Sequence, residues 1–204
     1  MGQNSKVKRD ARKKKEKKQQ LRPKAVHQPA ISFADVMMGS GVLFDTLDTP
    51  SDINQHVIEF CRSISSEAPF FIDSEPEPWS RAGCCDLNVA EYARLNGGRI
   101  VCGYRIWYNG SFYIEAERHA IWTDGTSFRD VSFIEDGTVR VLFLPDLLEK
   151  QQDLAMNLLK IRKTFDERYE PLVKYHRSMD RPAPTVSAEV AWSISPTYEQ
   201  FSAF

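Results

Sequence analysis

The chain has 204 residues, 42% hydrophobic and 27% charged, with a formal net charge of -1. That composition excludes a disordered or fibrous protein and sets one globular domain of moderate size as the expectation. No stretch approaches the roughly 18 consecutive apolar residues of a membrane helix, and no apolar run follows the N-terminal charges as a secretory signal would, so the sequence reads as cytoplasmic.

The charge is spread unevenly. Residues 1 to 24 hold eleven Lys and Arg against two acids, a local charge of +9, which leaves -10 on the remaining 180 residues. Residues 1–28 carry almost no large apolar side chain, so burial could not offset the entropy of ordering them, and a disordered basic arm is expected. Such a block, centred on Lys13, Lys14, Lys15, Lys17 and Lys18, reads as a contact for RNA or another polyanion, with a solubilising tail as the plain alternative. It contains no aromatic residue, so contact would be with phosphates and not bases. Met1-Gly2 invites a myristoylation reading, but Lys6 stands where that pattern has Ser or Thr. The four cysteines, Cys61, Cys84, Cys85 and Cys102, form no C-x-x-C pair, and reduced thiols are expected.

After the arm, Pro50-Ser51-Asp52 followed by Ile53, Val57, Phe60, Cys61 and Ile64 predicts a capped helix, with His56 and Cys61 as packing residues. Phe70-Phe71-Ile72 reads as a short strand running into the proline-stiffened loop Glu75-Pro76-Glu77-Pro78. A second helix is expected from about Cys84 to Asn96, stopped by Gly97-Gly98. Period-two patterning then marks strands at 99–108, 111–123, 126–134 and 138–144, joined by tight turns at Asn109-Gly110, Asp124-Gly125 and Asp136-Gly137. Leu147, Leu154, Leu158, Ile161 and Phe165 fall on one helical stripe that Pro171 interrupts or ends. The proline-rich residues 180–204 read as loosely ordered or docked on the body.

Turn arithmetic brings candidate chemistry together. A two-residue loop at Asp124-Gly125 sets Thr123 opposite Thr126 and His119 opposite Asp130, with side chains on one sheet face. A half-buried His beside a carboxylate is an oriented general base. The second helix offers a nucleophile. Cys85, Val89, Tyr92 and Asn96 form its inward stripe, while Cys84, Asn88, Glu91 and Leu95 make a more polar face. A Cys in the first helical turn has its thiolate favoured by the helix dipole, and the free N-H groups there can hold an oxyanion. Cys85, His119 and Asp130 thus take the roles of nucleophile, base and orienter. Asn88, one turn along, is expected to hold helix to sheet.

A helix-borne Cys, then His on one strand, then Asp on the next, resembles the papain-like superfamily, and especially its transglutaminase-like Cys-His-Asp branch. More closely, Cys85-Asp86-Leu87-Asn88-Val89, then Gly97-Gly98-Arg99-Ile100-Val101-Cys102-Gly103-Tyr104-Arg105-Ile106-Trp107, then Ile114-Glu115-Ala116-Glu117-Arg118-His119-Ala120-Ile121-Trp122 and Arg129-Asp130-Val131 are similar to a group of small uncharacterised bacterial proteins. The likeness covers residues 83–134. Ser132-Phe133 replaces the group's Thr-Pro, and Tyr104 its Trp. The resemblance implies a thiol hydrolase or acyl transferase acting on an amide, isopeptide or thioester bond of a peptide or other acyl substrate, with no cofactor.

Other readings of the same residues stay open. They suit an inert polar cluster, or a binding module with a degenerate site. A tight turn at Asn109-Gly110 would set Cys102 opposite Glu117 and diagonal to His119, so Cys85, Cys102, His119 and Asp130 could surround zinc, though without close ligand spacing. The fold expected is α+β: an antiparallel sheet of about four or five strands over residues 29–179, the Cys85 helix packed on its centre, and a C-terminal helix.

Overall fold

A computed structural model describes residues 47–110, 112–134, 137–146, 160–180 and 186–203, which belong to one compact unit. The basic arm at 1–28, with Lys13, Lys14, Lys15, Lys17 and Lys18, lies outside the described residues, as do 147–159 of the stripe that begins at Leu147. Among the described residues no helix is long and apolar enough to cross a membrane.

The architecture is α+β, built on a mostly antiparallel sheet of six strands, one or two more than expected. They are β1 (Phe70–Asp73), β2 (Arg99–Asn109), β3 (Tyr113–Thr123), β4 (Phe128–Arg129), β5 (Arg140–Pro145) and β6 (Ile161–Thr164), in the order β1-β5-β2-β3-β4 with β6 also on β3. Ser74 and Asp130 form a parallel bridge, and Glu75 N-H donates to Asp130 O at 2.7 Å, so the two ends of the path meet and the sheet curls on itself. β3 pairs with β4 only at Trp122 and Thr123, and with β6 only from Tyr113 to Ala116. Between them the outer edge of β3, at 117–121, is open among the described residues.

Alternation along the strands sorts the two faces. One carries Ile106, Ile114, Ala116, Leu142 and Leu144, covered by Val57, Phe60 and Cys61 of α1 (Gln55–Arg62). Beside them Cys102, Ala120 and Trp122 lie under Val89, with Cys85, Tyr92 and Ala93, all from α2 (Cys85–Asn96). The other face holds Val101, Ile121 and Phe143 against Phe70 and Ile72. At about 25 cal/mol per Å² of apolar area, these clusters are the main favourable term of the fold.

Local signals set the helix ends. α1 is capped by Asn54, whose side chain accepts from Val57 N-H at 3.2 Å, and not by Ser51 or Asp52. α2 stops at Gly97, whose positive φ of 75° lets its N-H close on Ala93 O at 2.8 Å. The helix expected through Ile161 and Phe165 is replaced there by β6. Arg162 reaches Glu115 on one face while Ile161 packs toward α1 on the other, so strand pairing overrides the helical stripe. Pro171 sits in the first turn of α3 (Glu170–Met179), where its missing N-H costs nothing, and so begins a helix it was expected to end.

The hairpin turns are longer than the two-residue loops expected. Asn109 pairs with Tyr113, leaving a three-residue connection, and Thr123 pairs with Phe128 across four. In the second loop Asp124 Oδ1 accepts from Thr126 N-H, Ser127 N-H and Thr126 Oγ-H, which builds a turn wider than Asp-Gly alone would. The strand expected at 126–134 is reduced to Phe128–Arg129, because at Asp130 the carboxylate turns back on its own backbone.

Residues 186–203 dock as two short helices, α4 (Ala188–Ile194) and α5 (Tyr198–Ser202), capped by Ser187 and by a Thr197–Gln200 capping box. Trp192 lies against Trp79 at 6.2 Å, and Phe133 meets Tyr198 and Phe201, each at 5.2 Å between ring centres.

Candidate active site

His119 and Asp130 are both buried, 5% and 1% exposed, with His119 Nε2 2.8 Å from Asp130 Oδ2. They are not directly opposed. The wider loop moves the register by two residues, so Asp130 falls one rung past the Trp122–Arg129 pair, beside Ile121. An even shift keeps the sheet face, and the pair survives as a diagonal. Asp130 Oδ1 accepts from Ser132 N-H at 3.0 Å, so the carboxylate is held by its own turn while the other oxygen holds the ring. Across the ladder from His119 is Gly103, and without a side chain there the Phe143 ring comes to 6.2 Å from the imidazole.

Cys85 is the first residue of α2, half-buried, and its thiol addresses the same imidazole. With Nε2 taken by Asp130, Nδ1 is the nitrogen left for sulfur. Burial of the ring disfavours its charge, but the Asp130 charge and hydrogen bond, with the Cys85 thiol, outweigh that and raise its pKa to about 10. The open edge of β3 is where a thiol at the start of the covering helix can meet a ring from the other face.

The remaining cysteines are shielded. Burial pushes Cys61 to about 12 and Cys102 to about 11. Cys84, expected on the polar face of α2, is instead 3% exposed and raised by burial, its S-H donating to Ser195 Oγ at 3.5 Å. Its neighbour in space is the C-terminal segment, which the helix pattern does not show. Cys102 pairs with Ala120 and not Glu117, because the first hairpin is displaced by an odd number of residues and the face flips. Among the described residues no three of His, Cys, Asp and Glu come together to hold a metal ion, so Cys85, Cys102, His119 and Asp130 do not assemble as a zinc cage.

Asn88 is fully buried and ties three pieces together. Its Oδ1 accepts from Arg81 N-H at 2.7 Å, while Nδ2 donates to Arg81 O at 2.9 Å and to Ser132 Oγ at 3.3 Å. The segment entering the Cys85 helix is thereby fixed to the turn that holds Asp130. Arg129 adds a second tie, donating to Tyr92 Oη at 2.5 Å and pairing with Glu77 at 2.9 Å.

A cleft of about 620 Å³ opens over Cys85 and His119. Its lining includes residues that the sequence reading did not place at the site: Arg105, Glu117 and Arg118 from the sheet, and Ile194, Ser195 and Pro196 from the C-terminal segment. Glu117 accepts from Arg105 at 2.6 Å and from Trp107 Nε1-H at 3.1 Å. Burial works against its charge, yet Arg105 and Lys160 hold its carboxyl down at about 2. Glu117 was findable, since it stands two residues from His119 on one strand and so shares its face. Nothing local marks residues 194–196. No family model, curated protein or solved structure matches this chain.

Proposed function

We propose that the protein is a thiol hydrolase or acyl transferase of papain-like kind, acting on an amide, isopeptide or thioester bond in the cytoplasm, where its free thiols stay reduced. The observation that carries this reading is the buried His119–Asp130 pair, 2.8 Å between heavy atoms, with the Cys85 thiol on the same ring and open to a cleft. Cys85 Sγ attacks the carbonyl carbon as the thiolate, its proton lost to solvent, beside a His119 ring that Asp130 holds as the imidazolium. The first N-H groups of α2 have no acceptor within the helix and serve the developing oxyanion. When the tetrahedral adduct collapses, the His119 imidazolium gives its proton to the leaving group and the acyl group stays on sulfur. Water or a second nucleophile then releases it.

Limiting iodoacetamide at about pH 6, read by intact mass and peptide mapping, tests the reading. One thiol should be labelled, Cys85. Cys85→Ser should abolish that labelling and Cys84→Ser should leave it. Labelling of Cys84 in preference, or of all four thiols alike, counts against the proposal.

The +9 arm favours a second and compatible property, contact with a polyanion. Deleting residues 1–28 should lower the salt needed to elute the protein from heparin. An unchanged elution point removes the property.

A further inference from the structure

We propose that Ile194 is a specificity-determining residue of the thiol site. With Phe133, Ile134 and Pro196 it forms an apolar subsite for the side chain that flanks the scissile bond, so the substrates are peptides or acyl amides with an aliphatic or aromatic group there. This rests on the reading of Cys85 as nucleophile.

Two kinds of residue line the cleft. Arg105 and Glu117 pair at 2.6 Å and Arg118 pairs with Asp146, so its charges already have partners. Ile194, Pro196, Phe133, Ile134 and Ala82 present carbon. Ile194 is 71% exposed, second only to Val139 among the large apolar side chains of the described residues. A lone exposed isoleucine is ordinary. This one shares a cleft with Cys85 and His119 and continues into Phe133 and Ile134.

Its position is also fixed. Ser195 O accepts from Arg81 Nη1-H at 2.7 Å, Pro196 O accepts from Ala82 N-H at 3.0 Å, and Thr197 forms an antiparallel bridge with Arg81. Those bonds fasten the segment carrying Ile194 to the stretch that leads into Cys85, and Cys84 S-H donates to Ser195 Oγ. An apolar side chain held against water beside a reactive thiol gains by being covered, and an apolar substrate group covers it. A charged group in the same place would lose its hydration without gaining a partner.

The test uses the full chain and acylamino-acid chloromethyl ketones bearing Leu, Phe, Asp or Lys side chains. Cys85 thiolate displaces chloride from the methylene carbon, its proton having gone to solvent, and the chloride leaves beside the His119 imidazolium. Each rate is divided by the iodoacetamide rate on the same protein. The Leu and Phe probes should exceed the Asp and Lys probes by about tenfold or more, the range typical of apolar pockets. Ile194→Glu should collapse that ratio and Ile194→Leu should keep it. If all four probes react alike while iodoacetamide still labels Cys85 selectively, the subsite is wrong and the thiol reading stands. If no reagent selects Cys85, both fall together.

Discussion

The His119 imidazole reaches Asp130 along the sheet and not straight across it: Nε2 lies 2.8 Å from Oδ2, although Asp130 sits one rung past the Trp122–Arg129 pair. Both side chains are buried, so the charge on the ring depends on the charge on the carboxylate. The ring keeps its proton because Asp130 and the thiol outweigh the cost of burial.

Stability should accordingly fall as pH rises from about 6.5 to about 10. In that window the folded ring holds a proton that the unfolded ring has lost, so its contribution is full below the lower value and gone above the upper. Urea unfolding midpoints across the range should drop in the native protein and drop less in Asp130→Asn, which also should alkylate more slowly at Cys85. Parallel profiles for the two proteins would show that the pair does not govern the titration.

Asn88→Ala should destabilise the fold by about 2–3 kcal/mol, because it strands Arg81 N-H, leaves Arg81 O with Cys84 N-H alone and removes a bond to Ser132. Equilibrium urea denaturation measures it. A loss of less than about 0.5 kcal/mol would mean that water replaces the amide, and that Asn88 does not secure the entry to α2.

Gly103→Ala should prevent normal folding. A Cβ there would lie 2.1 Å from Leu144 O and 2.7 Å from Phe143 Cζ, and the first contact is with backbone that cannot swing aside. Gly125→Ala is the comparison, since its φ is +97° but nothing lies within 4 Å of the added carbon. That substitution should cost about 1–2 kcal/mol, from backbone conformation alone. Soluble yield and melting curves separate the two, and equal behaviour would refute the close approach of β2 to β5.

Glu115 is 1% exposed and accepts from Lys160 Nζ at 2.8 Å, Arg162 Nε at 3.2 Å and Tyr113 Oη at 2.9 Å. Glu115→Ala removes the buried carboxylate that Lys160 and Arg162 share, leaving them only Glu117 and Asp180, and should cost about 3 kcal/mol. Glu115→Gln should cost less, since it keeps an acceptor. If both variants unfold at the native urea concentration, the network contributes nothing.

The sequence carried the triad further than its own turn model deserved. His119 and Asp130 stay on one face because the second hairpin departs from the expected register by two residues, and side chains repeat every two. The first hairpin departs by three, and so the Cys102–Glu117 pairing disappears. Loop length was decided by side chains inside the turn, such as Asp124 gathering Thr126 and Ser127, which the Asp-Gly pair does not reveal. Ile161–Thr164 was illegible for another reason: its strand exists only because β3 offers an edge, and that edge is far away in sequence. The same holds for Ser195 over Cys84, a contact between residues 111 apart.

The cleft is thus made of two parts with separate ancestries of constraint. Cys85 starts a helix, His119 lies on β3 and Asp130 in the turn just past β4, and the packing around them limits what can change. Ile194 and Pro196 belong to a segment fastened from outside by backbone hydrogen bonds and a few rings, where side chains are freer to vary. Exchange of residues 186–203 would therefore change the lining of the cleft while leaving Cys85, His119 and Asp130 in place, which makes this segment the natural one to randomise.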